Sequence, residues 1–377
     1  MIQAIFFASF IFIFHTYAGY PISLYLLSLV RKKDVKRGKY YPGVTMIITA
    51  YNEEKRIKTK IDNSLAIRYP GGKLQILIAS DGSTDRTVEF ASRYQKDGIE
   101  ILDIPERRGK ENAQKEAVKK ATGEIIIFTD VATMVDPTGL EEIVSNFADP
   151  EIGCVSSEDR VLGADGKPSG EGAYVQYEMW LRRLESRVNS LVGLSGSFFA
   201  ARKIVCKDFS GNMQSDFRTL LNSVKIGMRG ICDPKALGYY SDVSDQSREF
   251  ERKVRTVLRG LTVFFYHPEF LNVFRYGLFS YQYFCHKLLR WLVPVFLATA
   301  ILSNIFLAAK STLFLPTLLF QLCFYGLAFS GWKGFLSGSR AFVKIPVYFL
   351  VVNASILVAW WRYLNHHRVV MWTPSER

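Results

Sequence analysis

Hydrophobic and polar positions divide this chain into three stretches with different periods. From Ile2 to Val30 there is no formal charge, and the run stops at Arg31-Lys32-Lys33. A stretch of that length crosses the ~30 Å hydrocarbon layer of a bilayer as a helix. Its positive charge follows the apolar run instead of preceding it. That order argues for a retained helix with its N-terminus outside and its basic flank in the cytoplasm, against a cleaved leader. From Val44 onward, short β-branched runs alternate with amphipathic segments. They predict strands over Val44–Thr49, Leu74–Ala79, Ile99–Ile104 and Glu124–Phe128. Helices are expected between them over Glu53–Ala66, Thr84–Tyr94 and Lys110–Ala121, the last stopped by Thr122-Gly123. Strands separated by helices of that length imply βαβ units, so the middle of the chain is expected to be an α/β fold with a mainly parallel, Rossmann-like sheet.

Toward the C-terminus the apolar runs lengthen again, over Leu288–Ala309, Leu313–Trp332 and Phe342–Trp361. Each is close to the ~20 residues that a spanning helix needs. Before them, Tyr266 to Lys287 mixes aromatic residues with Arg275, His286 and Lys287 and is interrupted by Pro268 and Gly277. Such a stretch suits the headgroup region better than the hydrocarbon. The expected organisation is therefore an N-terminal membrane helix over 1–30, a cytoplasmic α/β domain over 31–260, interfacial helices over 261–287, and a membrane region with three spans plus a tail over 288–377. Four crossings put the loop holding Lys333, Arg340 and Lys344 in the cytoplasm, as the charge rule prefers. They also put the tail outside, although it carries Arg362, Arg368 and Arg377.

Composition follows from this layout. Hydrophobic residues make up 49% of the 377, with mean hydropathy +0.07, and the ends account for the excess. The net charge of +13 arises in part from Arg31, Lys32, Lys33, Lys36, Arg37, Arg340 and Lys344, which crowd beside the oily segments. That placement points to anionic lipid; no basic-aromatic module of a nucleic-acid binder is present. The five cysteines (Cys154, Cys206, Cys232, Cys285, Cys323) follow neither metal spacing nor a disulfide framework. The adjacent His366 and His367 point apart on a helix and do not make a zinc site.

The chemistry sits in a series of acids, most of them at expected strand ends. Tyr51-Asn52-Glu53-Glu54 follows the first strand, Ser80-Asp81-Gly82-Ser83-Thr84-Asp85 the second, and Thr129-Asp130 the fourth; Ser215-Asp216-Phe217 comes later. Ligands of open α/β sheets bind outside the carboxyl ends of the strands. Neither a dinucleotide glycine fingerprint nor a Walker lysine follows any strand. Asp85 falls in the first turn of a helix and reads as structural. Asp136-Pro137 reads as a helix start.

In order and spacing, Tyr-Asn-Glu-Glu, Ser-Asp-Gly-Ser-Thr-Asp, Arg-Gly-Lys at 108–110 and Thr-Asp-x-x-Thr at 129–133 resemble family 2 glycosyltransferases of the GT-A fold, from about Pro42 through Gly260. The flanking apolar segments resemble the membrane-bound, polysaccharide-synthesising branch. The resemblance implies an inverting glycosyltransferase that takes its sugar from a nucleoside diphosphate, with uridine the expected base. Its acceptor would be a lipid-linked or growing saccharide, for an extracellular polysaccharide or surface glycan, with glycan-export proteins as possible partners. It implies that Tyr51, Glu53 and Asp81 line the nucleotide pocket and that Lys110 lies near the donor. Asp130 would carry Mg²⁺ or Mn²⁺ against the diphosphate, and Asp216 would be the catalytic base. Ser195 and Gly196 would face the acceptor. Arg252 and Arg255 match part of the family's Gln-x-x-Arg-Trp region, with Arg in place of Gln and Thr256 in place of Trp, and would grip the diphosphate. One departure bears on the metal: the family motif is Asp-x-Asp or Asp-x-Asn, and here it is Asp130-Val131-Ala132. Ala132 offers no ligand, which leaves Asp130 alone or a second acid such as Glu158 or Asp159. Two other readings follow from the same residues: a polyprenyl-phosphate glycosyltransferase, and a non-catalytic scaffold subunit of a glycan synthesis or export complex.

Overall fold

A computed structural model describes residues 1–70, 73–162, 173–241, 246–335 and 341–369. The chain forms two compact units. One combines Leu24–Ser244 with the tail from Val369; the other combines Met1–Ser23 with Asp245–Arg368.

The first unit is built on an eight-stranded sheet. Its strands are β1 (Val44–Ala50), β2 (Leu74–Asp81), β3 (Ile99–Ile104), β4 (Ile125–Asp130), β5 (Met134–Val135), β6 (Ile152–Leu162), β7 (Phe198–Arg202) and β8 (Arg229–Ser241). They lie in the order β3-β2-β1-β4-β7-β6-β8-β5. The half formed by β3, β2, β1 and β4 is parallel throughout. β7 runs antiparallel to β4 and β6, β6 and β8 are parallel, and β5 is antiparallel to β8. The sheet is thus mixed and mostly parallel.

β1, β4 and most of β2 are buried on both faces, as their apolar runs require, while β3 at the edge of the sheet is partly exposed. Met46, Ile48, Ile76, Ile78, Ile125 and Ile127 fill one face against Ile57 and Ile61 of helix Ile57–Leu65 and Ile143 and Val144 of helix Gly139–Ser145. Ala113 and Ala117 of helix Lys110–Lys120 are sealed from solvent as well. The helices after β1 and β2 start later than their amphipathic pattern suggests. Residues 51–56 and 82–86 are turns first, and helix begins at Ile57 and Thr87. The delay has a local cause. Asn52 adopts a left-handed φ of 51° and its side chain accepts a hydrogen bond from the Thr84 amide at 2.8 Å, tying the two turns together.

The β6–β8 half was not legible as strands. Ile152–Leu162 is polar over its second half, and β8 contains Gly230, Asp233, Pro234 and Gly238. Two register shifts interrupt their pairing, at Ile152/Cys154 and Ser156/Glu158. These strands are held by long-range partners, which local propensity does not report. The segment Tyr174–Asn189 forms helix Ala173–Val188, with Leu181, Leu184 and Val188 buried and Trp180 exposed.

In the second unit, four helical stretches are long and apolar enough to cross a membrane: Ile2–Val30 (which runs on into the first unit), Leu278–Lys310, Thr312–Trp332 and Phe342–Leu364. They assign the chain to a membrane. The second begins at Leu278, ten residues before the start that the apolar run suggests. Gly277, with φ 55°, is the last breaker before the stretch, and no glycine or proline lies between it and Lys287, so His286 and Lys287 are carried within the helix. The amphipathic helix Gln246–Tyr266 also belongs to this unit, so the first unit ends before it, short of residue 260. Val254, Leu258, Leu261 and Phe264 form its buried face. Glu251 on this helix pairs with Arg362 at 2.9 Å and Lys253 lies over the Tyr348 ring at 5.4 Å, both partners on helix Ala341–Leu364. Arg340 and Arg377 lie outside the described residues.

One glycine governs the approach of β1 to β4. A Cβ on Gly123 would lie 2.5 Å from the Thr45 amide nitrogen and 2.5 Å from the Val44 carbonyl carbon. Its own amide donates to Thr45 Oγ1 at 2.9 Å. Overpacking against rigid backbone costs ~1–3 kcal/mol. Gly123→Ala is therefore expected to lower the melting temperature of the first unit by roughly 5 °C, read by differential scanning fluorimetry in detergent; an unchanged melting temperature would contradict the tight packing of Gly123 against β1.

Candidate active site

The carboxyl ends of β1, β2 and β4 lie side by side, since Thr49 pairs with Ala79 and with Asp130. Each end leads into a loop, and the side chains of those loops meet.

Asp81, the last residue of β2, is fully buried. Its carboxylate accepts the Arg108 amide at 2.9 Å and the Gly109 amide at 2.8 Å, so it ties down the loop that delivers Lys110. Gly82 next to it has φ 64°, and a Cβ there would lie 2.6 Å from the Arg107 nitrogen. The turn therefore needs glycine both for its backbone angle and for the loop's close approach. On the far side of that loop, the Arg107 guanidinium stacks 3.7 Å above the Tyr51 ring.

Lys110 begins its helix and is 6% exposed. Its ammonium stands 2.5 Å from Asp130 Oδ1 and donates to the Gly196 carbonyl at 2.9 Å. The Asp130 amide in turn donates to the Ser197 carbonyl at 3.1 Å. On the other side of Gly196 lies Asp216, whose Oδ2 would be 3.0 Å from a Cβ built on the glycine. Asp81, Lys110, Asp130, Gly196 and Asp216 thus form one contiguous set, although they span 136 positions of the sequence.

Asp216 sits in the first turn of helix Ser215–Lys225 and is half-buried. Neither it nor Ser215 makes a side-chain cap. Its contacts are the Phe217 amide at 2.8 Å and the Gln214 side chain at 3.2 Å. Ser195 is directed elsewhere. Its hydroxyl and that of Ser197 both donate to Asp159 Oδ2, and its amide donates to Ser156 Oγ at 2.7 Å. The loop 195–197 is therefore held rigidly from β6 and presents Gly196 between Lys110 and Asp216.

Glu53 is 3% exposed and engaged by Arg56, with contacts of 2.7 and 2.9 Å. Burial pushes its carboxyl above the ordinary range. Arg56 opposes that shift, while Asp130 and Asp85 reinforce it. Glu53 thus shares the field of the site, with its charge already paired. Asp85 accepts from the amides of Glu54 and Thr87, each at 3.0 Å, and shapes the turns. Asp136 does the same for the turn before helix Gly139–Ser145, accepting the Thr138 amide at 2.9 Å; the N-cap itself is Thr138. Arg252 and Arg255 lie in the other unit, on helix Gln246–Tyr266, where Arg252 pairs with Glu249 at 2.6 Å.

For a divalent metal, Asp130 is the one acid of the motif, and its side chain is 20% exposed. Glu158 is taken by Arg160 and Arg183 at 2.8 and 3.1 Å, and Asp159 by three serines. Among the described residues no three His, Cys, Asp or Glu gather to hold a metal by themselves. The residues fit a site completed by substrate, in which one carboxylate is joined by phosphate oxygens and water.

Sequence reasoning missed Lys60. It lies on helix Ile57–Leu65, is wholly sealed from solvent, and donates to Thr129 Oγ1 at 3.0 Å and to the Thr133 carbonyl at 2.5 Å. Burial lowers its pKa to about 7, against the opposing pull of Asp130. The available signal was a lysine between Ile57 and Ile61 on the apolar face of its helix. Arg107 and Asp159 were also missed, and no spacing marks either.

Comparison with known proteins gives this geometry a family. Residues 45–208 match the model described as Glycosyl transferase family 2. The poly-β-1,6-N-acetyl-D-glucosamine synthase of Staphylococcus aureus (strain COL) is 28% identical over 210 residues, 54% of this chain and 50% of that protein. The synthase of the same name from Staphylococcus epidermidis is 26% identical over 171 residues, 44% of this chain and 41% of that protein. The chain spans about half the length of the curated relatives it matches. Among solved structures, the mannosyltransferase PcManGT from Pyrobaculum calidifontis, in complex with GDP-Man and Mn²⁺, superposes with a TM-score of 0.75 at 22% identity, over 97% of this chain and 99% of that one. At that identity the likeness establishes the fold, which is GT-A. The domain over residues 45–208, whose strand ends carry Asp81 and Asp130, is therefore a glycosyl transferase family 2 domain.

Proposed function

We propose that the chain is a membrane-anchored, inverting glycosyltransferase that moves a sugar from a nucleoside diphosphate to a hydroxyl of a lipid-linked or growing saccharide, on the cytoplasmic side of the bilayer. The observation that carries the reading is the Lys110 ammonium bridging Asp130 and the Gly196 carbonyl, with the Asp216 carboxylate against the other side of Gly196. A cation at a helix N-terminus suits a diphosphate. A carboxylate a short distance away suits the acceptor.

The chemistry then runs as one displacement. The acceptor oxygen attacks the anomeric carbon while Asp216 takes its proton. The bond from that carbon to the diphosphate oxygen breaks, the nucleoside diphosphate leaves with the electron pair, and the configuration inverts. Lys110 binds and orients the diphosphate and offsets the charge that develops on the leaving oxygen. Asp130 would hold Mg²⁺ or Mn²⁺, which when bound supplies Lewis-acid neutralisation of the same diphosphate. Tyr51, stacked under Arg107, and Asp81 stand on the nucleotide side. Glu53 acts there through its pairing with Arg56. The absence of a side chain at Gly196 leaves room for the acceptor sugar beside Asp216. Arg252 and Arg255 remain further candidates for diphosphate contact from the helix after the catalytic unit.

The synthases among the relatives support a surface polysaccharide as the product class and N-acetylglucosamine as the first sugar to test. The basic residues flanking the first apolar helix, Arg31, Lys32 and Lys33, support a cytoplasmic catalytic unit.

Two outcomes test this function. Purified full chain in detergent, screened for hydrolysis across UDP- and GDP-linked sugars, is expected to release nucleotide from at least one of them with Mn²⁺ and to fall to background in EDTA; release unaffected by EDTA would contradict the metal role of Asp130. With the donor so found and a saccharide acceptor, Asp216→Asn is expected to lower kcat by about a hundredfold or more while leaving donor KM near wild type. Substantial retained transfer to the saccharide would contradict Asp216 as the base; transfer to polyprenyl phosphate but not to any saccharide, little affected by Asp216→Asn, would favour the phosphate-acceptor reading, since a phosphate needs no strong base.

A further inference from the structure

Lys60 stands outside the machinery just described, yet its position is costly and specific. An ammonium wholly excluded from water is strongly disfavoured unless its donors are used. Its ammonium donates to two neutral acceptors: the Thr129 hydroxyl at 3.0 Å, immediately before Asp130, and the Thr133 carbonyl at 2.5 Å, three residues after Asp130. Asn63, one turn further along the same helix, takes hold of the next stretch of chain from both directions. Its amide nitrogen donates to the Val135 carbonyl at 3.0 Å and its oxygen accepts the Val135 amide at 3.0 Å. Residues three apart share a helix face. One face of helix Ile57–Leu65 therefore grips segment 129–135 at four polar groups, on both sides of the loop Asp130-Val131-Ala132. That loop has no second acid to organise it around a metal, because Ala132 occupies the place.

We propose that Lys60 is a positioning residue for the donor site, clamping the Asp130 loop from inside the core so that the Asp130 carboxylate is set for the donor diphosphate without help from a second motif acid. The inference rests on the reading of Asp130 as a donor-site residue. The clamp works through hydrogen bonds to both flanks of the loop. Lys60 is buried behind the loop and holds the Thr129 side chain and the Thr133 backbone in a fixed relation. Asn63 extends the same hold to Val135. An apolar side chain at position 60 would pack at lower cost but would leave both acceptors without their donor.

Lys60→Met in the full detergent-purified chain tests the clamp, with amide hydrogen exchange as the primary readout. Exchange over 130–135 is expected to speed up by about tenfold or more, while the β1 and β2 amides keep wild-type protection. The melting temperature should stay level or rise, since a buried charge is gone. Donor kcat/KM should fall by about tenfold, chiefly through KM. Unchanged protection over 130–135 overturns the proposal. So does uniformly faster exchange with a lowered melting temperature, which marks an ordinary core residue. Thr129→Val keeps the lysine and removes one acceptor. It should give the same pattern in weaker form, and a profile indistinguishable from wild type would also overturn the clamp. If the wild-type chain turns over no nucleotide sugar, the donor reading fails, while the exchange profile still decides whether Lys60 holds the loop.

Discussion

The ion pair between Lys110 and Asp130 is the contact on which this site depends. It joins the loop after β3 to the end of β4, two strands that β2 and β1 separate in the sheet, and the same ammonium reaches the Gly196 carbonyl on a further loop. Asp81 sets it up from below, by fixing the Gly109 amide just before the lysine. Remove that pair and little connects the loop after β3 with the end of β4 on the ligand side of the sheet. A salt bridge this sheltered is not retained for stability alone, because desolvating both ions cancels much of their attraction. On the proposed function, its value would lie in keeping a cation and a carboxylate poised for the donor diphosphate.

Around the pair, the acids divide by what already holds them. Asp81 is consumed by backbone amides, Glu53 by Arg56, Glu158 by two arginines, and Asp159 by three serines. Asp130 and Asp216 differ. The first meets an ammonium that a substrate phosphate can draw away, and the second faces Gly196, where no side chain intervenes. This division separates residues that build the site from residues left to act in it. Lys60 and Asn63 hold the flanks of the Asp130 loop by hydrogen bonds from behind, and on the proposed reading that hold would stand in for a second carboxylate.

Much of this was legible in the sequence, and the limits have physical causes. β1, β2 and β4 announced themselves because strands buried on both faces are largely apolar runs, and β3 because its apolar residues alternate with Glu100 and Asp103; the ends of β2 and β4 carried Asp81 and Asp130. Glycine and the Asp-Gly-Ser turn marked the loops. The β6–β8 half escaped because its strands are polar, bulged and stabilised by partners far away in the chain. Helix starts were placed too early because Asn52 and Thr84 bond to one another across separate loops, a contact without a local signature. Lys60 was passed over although its helical phase put it among Ile57 and Ile61; a charged residue on an apolar face is a signal that periodicity alone does not weigh. At the C-terminal side, aromatic and basic residues suggested an interfacial stretch to Lys287, whereas the helix runs on from Leu278 because neither glycine nor proline lies between Gly277 and Lys287.

The central claim is that a nucleotide diphosphate occupies the space governed by Lys110 and Asp130. Titration calorimetry of the full chain in detergent, with UDP and with GDP in the presence of Mn²⁺, addresses it directly when wild type is compared with Lys110→Met and Asp130→Ala. The account predicts that wild type binds one of the two nucleotides and that both substitutions weaken that binding by about tenfold or more. Binding in both variants as tight as in wild type would contradict it.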